Sequence, residues 1–578
     1  DGQGLEFMAA FLSLCCGVLL APLTWQLARR LRLERASALL AALLVAISPF
    51  GVWYSQEVRM YTLGAALGVV CLVAATAFLG DRLPAGRLWR AAGAFALAAA
   101  AGLYALYYFA FLLIRLNLLI IPLLWRRWRA EAGLPGSSPV SLQAAKRRLA
   151  LWLAAQAGAL LLYLPWLPVA WRQVANPPVP PWRTAPPLTD VIVESWAALS
   201  FGQSTNPARF WPLLLLTFAL VVIGLLAARQ ARRNGRAPIS GHRRLDERAA
   251  PDAAPVEATP ASAPAALLLL VAAFGPPLLI LLASLATPLY HVRYLFTYSP
   301  AFSVLLAMGL VAVGRWRPPA SRWLAGACLA LLLLGSALAL RSFWADPAYA
   351  VDDHRRAARE LAQRLRPGDV ILVNAGYAYP ALLTYWPLPV AWHGRLTDYR
   401  PEIGEQAAAA EAAVILQTGH IDGDSDLGWG DPRSDFYALP LPEAQTALRD
   451  LSAHTDRLWH YRIYDTVNDP QGALRNALAR GWALVDDRVY QGEANLRVQG
   501  WQGMRQALSS YHPPVIAAFD SWLDLAMAPD AVPAQVEAGG AIDIPGVVWS
   551  HTPDGSASPA ALSLRLTDAA GEVWAAHD

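Results

Sequence analysis

The chain has 578 residues, 56% of them apolar and 16% charged, with a net charge of +4 and four cysteines. An apolar share this high is unusual for a soluble protein, and the length allows several domains. The basic residues are almost all arginine, with Lys146 the sole lysine, and they cluster beside apolar blocks, so the positive charge reports membrane topology rather than nucleic-acid binding.

Up to about Trp344 the apolar residues come in blocks of roughly 17 to 25, the length that crosses ~30 Å of hydrocarbon at ~1.5 Å per residue. Ten spans are predicted, at 6–28, 36–54, 60–80, 89–107, 109–125, 149–170, 209–228, 264–287, 294–314 and 322–344. Cys15, Cys16, Cys71 and Cys328 all fall inside apolar segments and read as small buried hydrophobes, not as disulfides or metal ligands. A polar hexapeptide leads from Asp1 straight into the first span, and the chain stops in strand-like residues at Ala575 to Asp578, so both ends are expected to be truncated.

Alternate connections carry very different charge. One set holds Arg29, Arg30, Arg32 and Arg35, then Arg82, Arg87 and Arg90, then Arg126 to Arg148, then seven arginines between Arg229 and Arg248, then Arg315, Arg317 and Arg322. The other set is nearly free of base, which places the first set in the cytoplasm and the second, with everything after Trp344, outside. An even count with an outside start implies one further span upstream.

The stretch Ile47 to Leu63, ISPFGVWYSQEVRMYTL, joins two spans and places Gln56, Glu57, Arg59 and Tyr61 at their outer rim. Lipid offers an ionisable group no partner, so charges there mark a site unless they form an ordinary interfacial loop with Trp53 and Tyr54 in an aromatic belt. The next outer turn holds Tyr104, Tyr107 and Tyr108, which read as belt aromatics or as the wall of a ligand pocket, and Arg115 lies inside the apolar run after it. Segment 171–208 opens with a proline-rich run that excludes helix and continues as LTDVIVESWAALSF. There the apolar positions fall near helical spacing with Asp190 and Glu194 elsewhere, as in an amphipathic helix on the membrane surface. Residues 229–262, rich in Arg, Ala and Pro, read as a disordered cytoplasmic loop. The turn from Thr287 to Phe302 places His291 and Arg293 beside Tyr290, Tyr294 and Tyr298 at the same rim, so two polar constellations share one face.

Beyond Trp344 the pattern alternates. An amphipathic helix leads to a strand at 369–374, a second strand spans 457–467, a capped helix ends at Gly481 and another strand comes at NLRVQGW. The organisation is therefore a transmembrane domain (1–344), an extracytoplasmic α/β domain (345–503) and a partial β-sandwich (504–578).

The motif SPFGVWYSQEVRMYTL resembles the signature of bacterial C-class (GT-C) glycosyltransferases, integral-membrane enzymes similar to protein O-mannosyltransferases and to the aminoarabinose transferase of lipid A. The resemblance continues through LLYLPWLPVAW (161–171), HVRYLFTYSPAF (291–302) and GDVILVNAGYAYPA (368–381). It implies transfer of a sugar from a polyprenyl-phosphate donor to a protein or glycolipid acceptor, on the extracytoplasmic face of the inner membrane, usually with inversion. It also implies a carboxylate base in a loop upstream of Asp1, for which Asp1 and Glu6 are poor substitutes. The family's tyrosine turn commonly carries a His where this chain has Leu106.

Transfer needs positive charge on the departing lipid phosphate, and arginine supplies a permanent charge on a planar fork. Arg59 and Arg293 are the predicted phosphate ligands, with His291, Tyr61, Tyr294 and Gln56 lining the donor or acceptor pocket. Three roles are open to Glu57: orienting Arg59, holding a divalent metal with the upstream loop, or approaching the acceptor. Two other readings remain, a transporter or lipid flippase and a sensor whose soluble part binds. A transporter places its polar groups near the midplane on broken, repeated helices, whereas here they gather at one rim.

Overall fold

The computed structural model describes residues 2–80, 84–133, 139–175, 187–234, 263–285, 289–317, 319–374, 378–418, 441–465, 469, 472–492 and 494–503. It also describes five later strands, 515–519, 523–527, 546–550, 564–567 and 573–577. Contacts divide the chain into two units. The first runs to His354 and takes in Tyr490–Asn495, and the second contains most of the residues after His354.

The first unit is a bundle of apolar helices: α1 (Gly2–Arg30), α2 (Arg35–Ala46), α3 (Pro49–Gln56), α4 (Tyr61–Leu79), α5 (Ala85–Ala105), α6 (Phe109–Gly133) and α7 (Pro139–Tyr163). Next come α8 (Leu167–Ala175), α9 (Leu188–Phe201), α10 (Pro207–Asn234), α11 (Ala263–Ala283), α12 (Ser299–Arg315) and α13 (Ala320–Ala345). Among the described residues nine helical segments are long and apolar enough to cross a membrane, or ten if the bent pair α2 and α3 is one span. The chain is a multi-pass membrane protein.

Exposed Trp89, Trp316 and Trp323 lie at the arginine-bearing helix ends, and exposed Trp171, Trp211 and Trp344 at the opposite ends, which outlines two interfacial belts. At the arginine-rich rim guanidinium groups satisfy carbonyls that helix ends leave open. Arg29 donates to Leu33 O at 2.7 Å, Arg127 to Leu79 O at 2.8 Å, and Arg148 to Gly80 O. Arg32 takes φ +59° after α1, so that Leu33 N reaches back to Ala28 O at 3.0 Å and Arg32 N to Arg29 O at 3.1 Å, a closing turn that usually employs glycine.

Several boundaries differ from the expectation. The span predicted at 36–54 is broken: α2 and α3 meet at a 48° bend, because Ser48 caps a new helix through Gly51 N at 3.3 Å and Pro49 opens it. The span predicted at 294–314 starts as a seven-residue 3-10 stretch, Val292–Tyr298, and becomes α-helical only at Ser299. Helix α9 does not merely rest on the membrane surface. Val191, Ala197, Ala198, Leu199 and Phe201 are buried, most of them in the bundle's own core. Helix α10 continues to Asn234, into the segment expected to be disordered, and 235–262 lie outside the described residues, as does the proline-rich run at 176–186. The four cysteines are free, three of them buried.

Two close approaches set the packing. A Cβ on Gly309 of α12 would lie 2.0 Å from Leu220 O on α10, and one on Gly224 would lie 2.9 Å from Gly309 N, so backbones touch where small residues face each other. Gly64 and Gly68 let the 3-10 stretch lie on α4, with Thr297 atoms 3.7 and 3.6 Å from where their side chains would begin.

The second unit holds a six-stranded sheet of order β2-β3-β1-β4-β6-β5. Its strands are β1 (Val370–Val373), β2 (Val390–Arg395), β3 (Ala413–Gln417), β4 (Arg457–Arg462), β5 (Trp482–Val489) and β6 (Arg497–Gly503). The first four are parallel, and β6 and β5 close one edge antiparallel. Strands β1 and β3 are buried along their whole length, as the VILV and AVILQ runs require of a sheet covered on both faces. Leu448 and Leu451 of one helix (Leu441–His454) and Leu474 and Leu478 of another (Ala473–Gly481) pack on Val370, Leu372, Val414, Leu416 and Leu458. The strand expected over 457–467 ends at Arg462, where the chain turns at Tyr464 with φ +56°. From 515 onward the described strands form one three-stranded and one two-stranded antiparallel sheet, and the remainder of the expected sandwich lies outside the described residues.

Candidate functional site

Two short elements at the rim opposite the arginine-capped helix ends carry most of the predicted residues. Helix α3 ends at Gln56, and Glu57 comes next in extended conformation, which turns the chain so that Arg59 and Tyr61 come round to the start of α4. Ser13 of α1 donates to Arg59 O at 3.0 Å and fixes that turn. On the other side the 3-10 stretch is capped by His291, whose Nδ1 accepts from Arg293 N at 3.2 Å.

Glu57 is engaged at both oxygens. Trp53 Nε1 donates to Oε1 at 2.5 Å, and Arg59 Nε lies 3.7 Å from Oε2. Trp53 is itself held by Phe343 of α13, their rings stacked at 4.6 Å. Glu57 thus sits where it can orient Arg59, and Trp53, which had two readings from sequence, is its partner rather than a belt residue.

Between the two elements lies an aromatic floor. Tyr54 and Tyr61, both buried, have ring centroids 4.6 Å apart, and Tyr54 meets Phe296 at 5.1 Å. Tyr108 stacks on Tyr294 at 3.7 Å with 13° between planes, and its hydroxyl donates to Leu289 O at 2.7 Å. The charged groups surround this floor: Tyr54 lies within electrostatic reach of Glu57 and Arg293, and Tyr61 within reach of Arg59 and Arg293.

Arg293 is half-buried, interacts with the Tyr61 hydroxyl and holds its guanidinium carbon 5.8 Å from the Tyr294 ring centroid. Its Nε is buried with no hydrogen-bond acceptor, and no carboxylate pairs with it among the described residues. A cation partly withdrawn from water with an open donor has the chemistry to take an anion, since an acceptor would offset the desolvation of the guanidinium. Thr62 and Thr297 also keep buried hydroxyls without a partner.

The structure therefore brings together Glu57, Arg59, Tyr61, His291, Arg293 and Tyr294, with His291 and Tyr294 rings 6.1 Å apart. Gln56 is exposed and joined to none of them by a hydrogen bond. Leu106, at the position where the resembled family has His, is buried and packs toward Gly64 of α4. Arg115 belongs to another environment, against Gly275 of α11. Three aromatics that the sequence offered as belt residues, Tyr108 also as a pocket wall, contribute here: Trp53 bonds Glu57, the Tyr54 hydroxyl donates to Gln203 at 3.0 Å, and Tyr108 stacks on Tyr294. The four-residue spacing of Trp53 and Glu57 was the available signal.

Among the described residues no three His, Cys, Asp or Glu side chains are grouped to hold a metal ion.

No family model matches the sequence, and no curated protein does. Among solved structures the chain is similar to ArnT from Cupriavidus metallidurans in the apo state, at 13% identity and TM-score 0.43 over 85% of this chain and 83% of that one. The same protein bound to undecaprenyl phosphate matches at 15% identity and TM-score 0.42, over 86% and 83%. The Archaeoglobus fulgidus oligosaccharyltransferase complex with zinc and sulfate matches at 14% identity and TM-score 0.39, over 86% of this chain and 62% of that one. At such scores the likeness carries no argument about chemistry, which rests on the side chains themselves.

Proposed function

We propose that the protein transfers a sugar from a polyprenyl-phosphate donor to a hydroxyl of a protein or glycolipid acceptor, with inversion, at the extracytoplasmic face of the inner membrane. The observation that carries this reading is the half-buried Arg293 with its open Nε, placed with Arg59 around Tyr54 and Tyr61 at the lipid-facing rim.

In this reading the lipid phosphate docks on Arg293 and Arg59, its chain remaining in the bilayer. As the bond from the anomeric carbon to the phosphate oxygen breaks, negative charge grows on that oxygen, and the two guanidinium groups stabilise it more than they stabilise the ground state. Glu57 orients Arg59, and the Tyr61 and His291 side chains bound the space beside the phosphate. The soluble part, read as domains 345–503 and 504–578, bears on acceptor choice or stability rather than on bond breaking.

In membranes containing the full protein, Arg59→Ala or Arg293→Ala is expected to lower transfer from a polyprenyl-phosphate sugar at least ~10-fold with expression unchanged, the loss of about one charge-assisted hydrogen bond. Transfer at the wild-type rate would remove both residues from the site.

A further inference from the structure

Arg59 brings a charge to the rim but is loosely aimed. Its side chain is more than half exposed, and its link to Glu57 is a 3.7 Å ion pair, of the kind that solvent and rotamer entropy leave weak. Glu57 can direct it only if the carboxylate is itself fixed. The backbone does not do that, because Glu57 follows α3 in extended conformation with its side chain about a third exposed.

Trp53 supplies the missing restraint, and the fold restrains Trp53 in turn. Its Nε1 donates to Glu57 Oε1 at 2.5 Å, which leaves Oε2 as the oxygen on the Arg59 side. Phe343 of α13 stacks on the indole at 4.6 Å with 25° between planes, and Tyr349 meets it edge-on at 5.9 Å. Tyr349 lies in a short turn after α13 that is pinned at both ends. Asp346 accepts from Ala348 N at 3.0 Å, and Asp352 accepts from Ala494 N through both carboxylate oxygens, at 3.1 and 3.2 Å. The root of α3 is fixed as well. Gly202, at φ +80° after α9, meets it backbone to backbone, since a Cβ there would lie 2.9 Å from Phe50 N and 3.1 Å from Pro49 C. Just beyond that contact Gln203 accepts from the Tyr54 hydroxyl, one residue from Trp53.

A tryptophan that only anchors a membrane rim turns its N–H to water or headgroups and its ring to lipid. Here the N–H is directed at the carboxylate that is paired with Arg59, and the ring is covered by aromatic rings from α13 and the turn behind it.

Resting on the glycosyl-transfer reading above, we infer that Trp53 is a positioning residue for the donor phosphate: its indole N–H holds the Glu57 carboxylate, which aims the Arg59 guanidinium. The charge of Arg59 attracts the phosphate before and during reaction alike. Its direction matters most when charge gathers on one phosphate oxygen as the glycosyl bond breaks. Loss of the N–H therefore touches kcat more than it touches donor binding.

The test uses the full chain in proteoliposomes with undecaprenyl-phosphate mannose and decaprenyl-phosphate arabinose as donors, and host membrane extract as acceptor. Trp53→Phe keeps a ring against Phe343 and deletes the N–H. It is expected to lower kcat at least ~10-fold while the Kd for undecaprenyl phosphate stays within about threefold. Phe343→Leu, which keeps the N–H and loosens the ring, should lower kcat by a smaller factor, and it carries the same comparison if Trp53→Phe does not accumulate. In an Arg59→Ala background each substitution should change the remaining rate by less than about twofold, because no guanidinium is left to aim. Trp53→Phe within about twofold of wild type in kcat would overturn the assignment. So would an undiminished further loss in the Arg59→Ala background, which would put the action of Trp53 elsewhere. A rate loss matched by an equal loss of undecaprenyl-phosphate binding would overturn it too, marking a structural residue. Wild-type protein that neither binds undecaprenyl phosphate nor transfers either sugar would overturn the glycosyl-transfer reading, and the role of Trp53 with it.

Discussion

Replacing Arg293 by Gln tests the anion site directly, because Gln keeps a donor and much of the stem while deleting the charge and the fork. The guanidinium is half-buried, so an effective dielectric of about 20 applies, and a phosphate charge ~4 Å away is worth about 4 kcal/mol. Counting bonds instead, one to two charge-assisted hydrogen bonds at ~1.5–3 kcal/mol each give a similar sum. Part of it is recovered because Arg59 stays in place, which leaves a net loss of about 3 kcal/mol, or roughly 100-fold in Kd. Arg293→Lys, which restores a point charge without the planar fork, should fall in between. The assay is equilibrium binding of undecaprenyl phosphate to protein in nanodiscs, with circular dichroism as a control for folding. Because the group is partly withdrawn from solvent, raising the salt from about 50 to about 500 mM should change the wild-type Kd little. A Gln variant that binds within about threefold of wild type, or a lysine variant no better than Gln, would refute the reasoning.

Two further predictions concern stability. Gly309→Ala would place a methyl 2.0 Å from Leu220 O, inside backbone that cannot yield without parting α10 from α12, so a loss of about 2–4 kcal/mol is expected, read as a lower thermal midpoint in detergent; an unchanged midpoint would show that the two helices do not cross so closely. In the second unit His460 is wholly buried on β4 and held neutral, its ring pushed down to about 3 first by burial and then by the charges of Arg462 and Arg475. An unfolded histidine titrates near 6.5, so the contribution of His460 is complete above that pH and drains at about 1.4 kcal/mol per pH unit as pH falls toward 3. Asp369 and Asp469, both raised chiefly by burial, act in the opposite sense: their contribution is present below the ordinary carboxylate range and is lost as pH rises through their raised values. Acid unfolding of the full chain, followed by hydrogen exchange in β1 and β4, should therefore flatten in His460→Leu, and an identical acid slope in the variant would dismiss the account.

The membrane bundle was legible because span length and arginine asymmetry are properties of single segments, and those survive in the helices from α1 to α13. What single segments do not record is where two of them meet. Ser48 and Pro49 spell a helix start, yet they stand inside an apolar run long enough to pass for one span, and the 48° bend appears only in three dimensions. At the site, Glu57, Arg59, His291 and Arg293 stood out as charges where lipid tolerates few. Trp53 and Tyr54 did not, because an aromatic at a membrane rim has an ordinary interfacial explanation, and its bond to Glu57 or Gln203 is invisible to composition.

The contact between Gly202 and Pro49 is a fulcrum. One arm runs from it along α3, ~10 Å from Pro49 to Gln56, with Glu57 next in the chain. A rocking of that arm by about 5° displaces its tip by ~1 Å, the scale of misplacement that costs a reacting pair about two orders of magnitude in rate. A bulkier residue at 202 would thus be felt at the tip as lost alignment as well as at the pivot as lost stability.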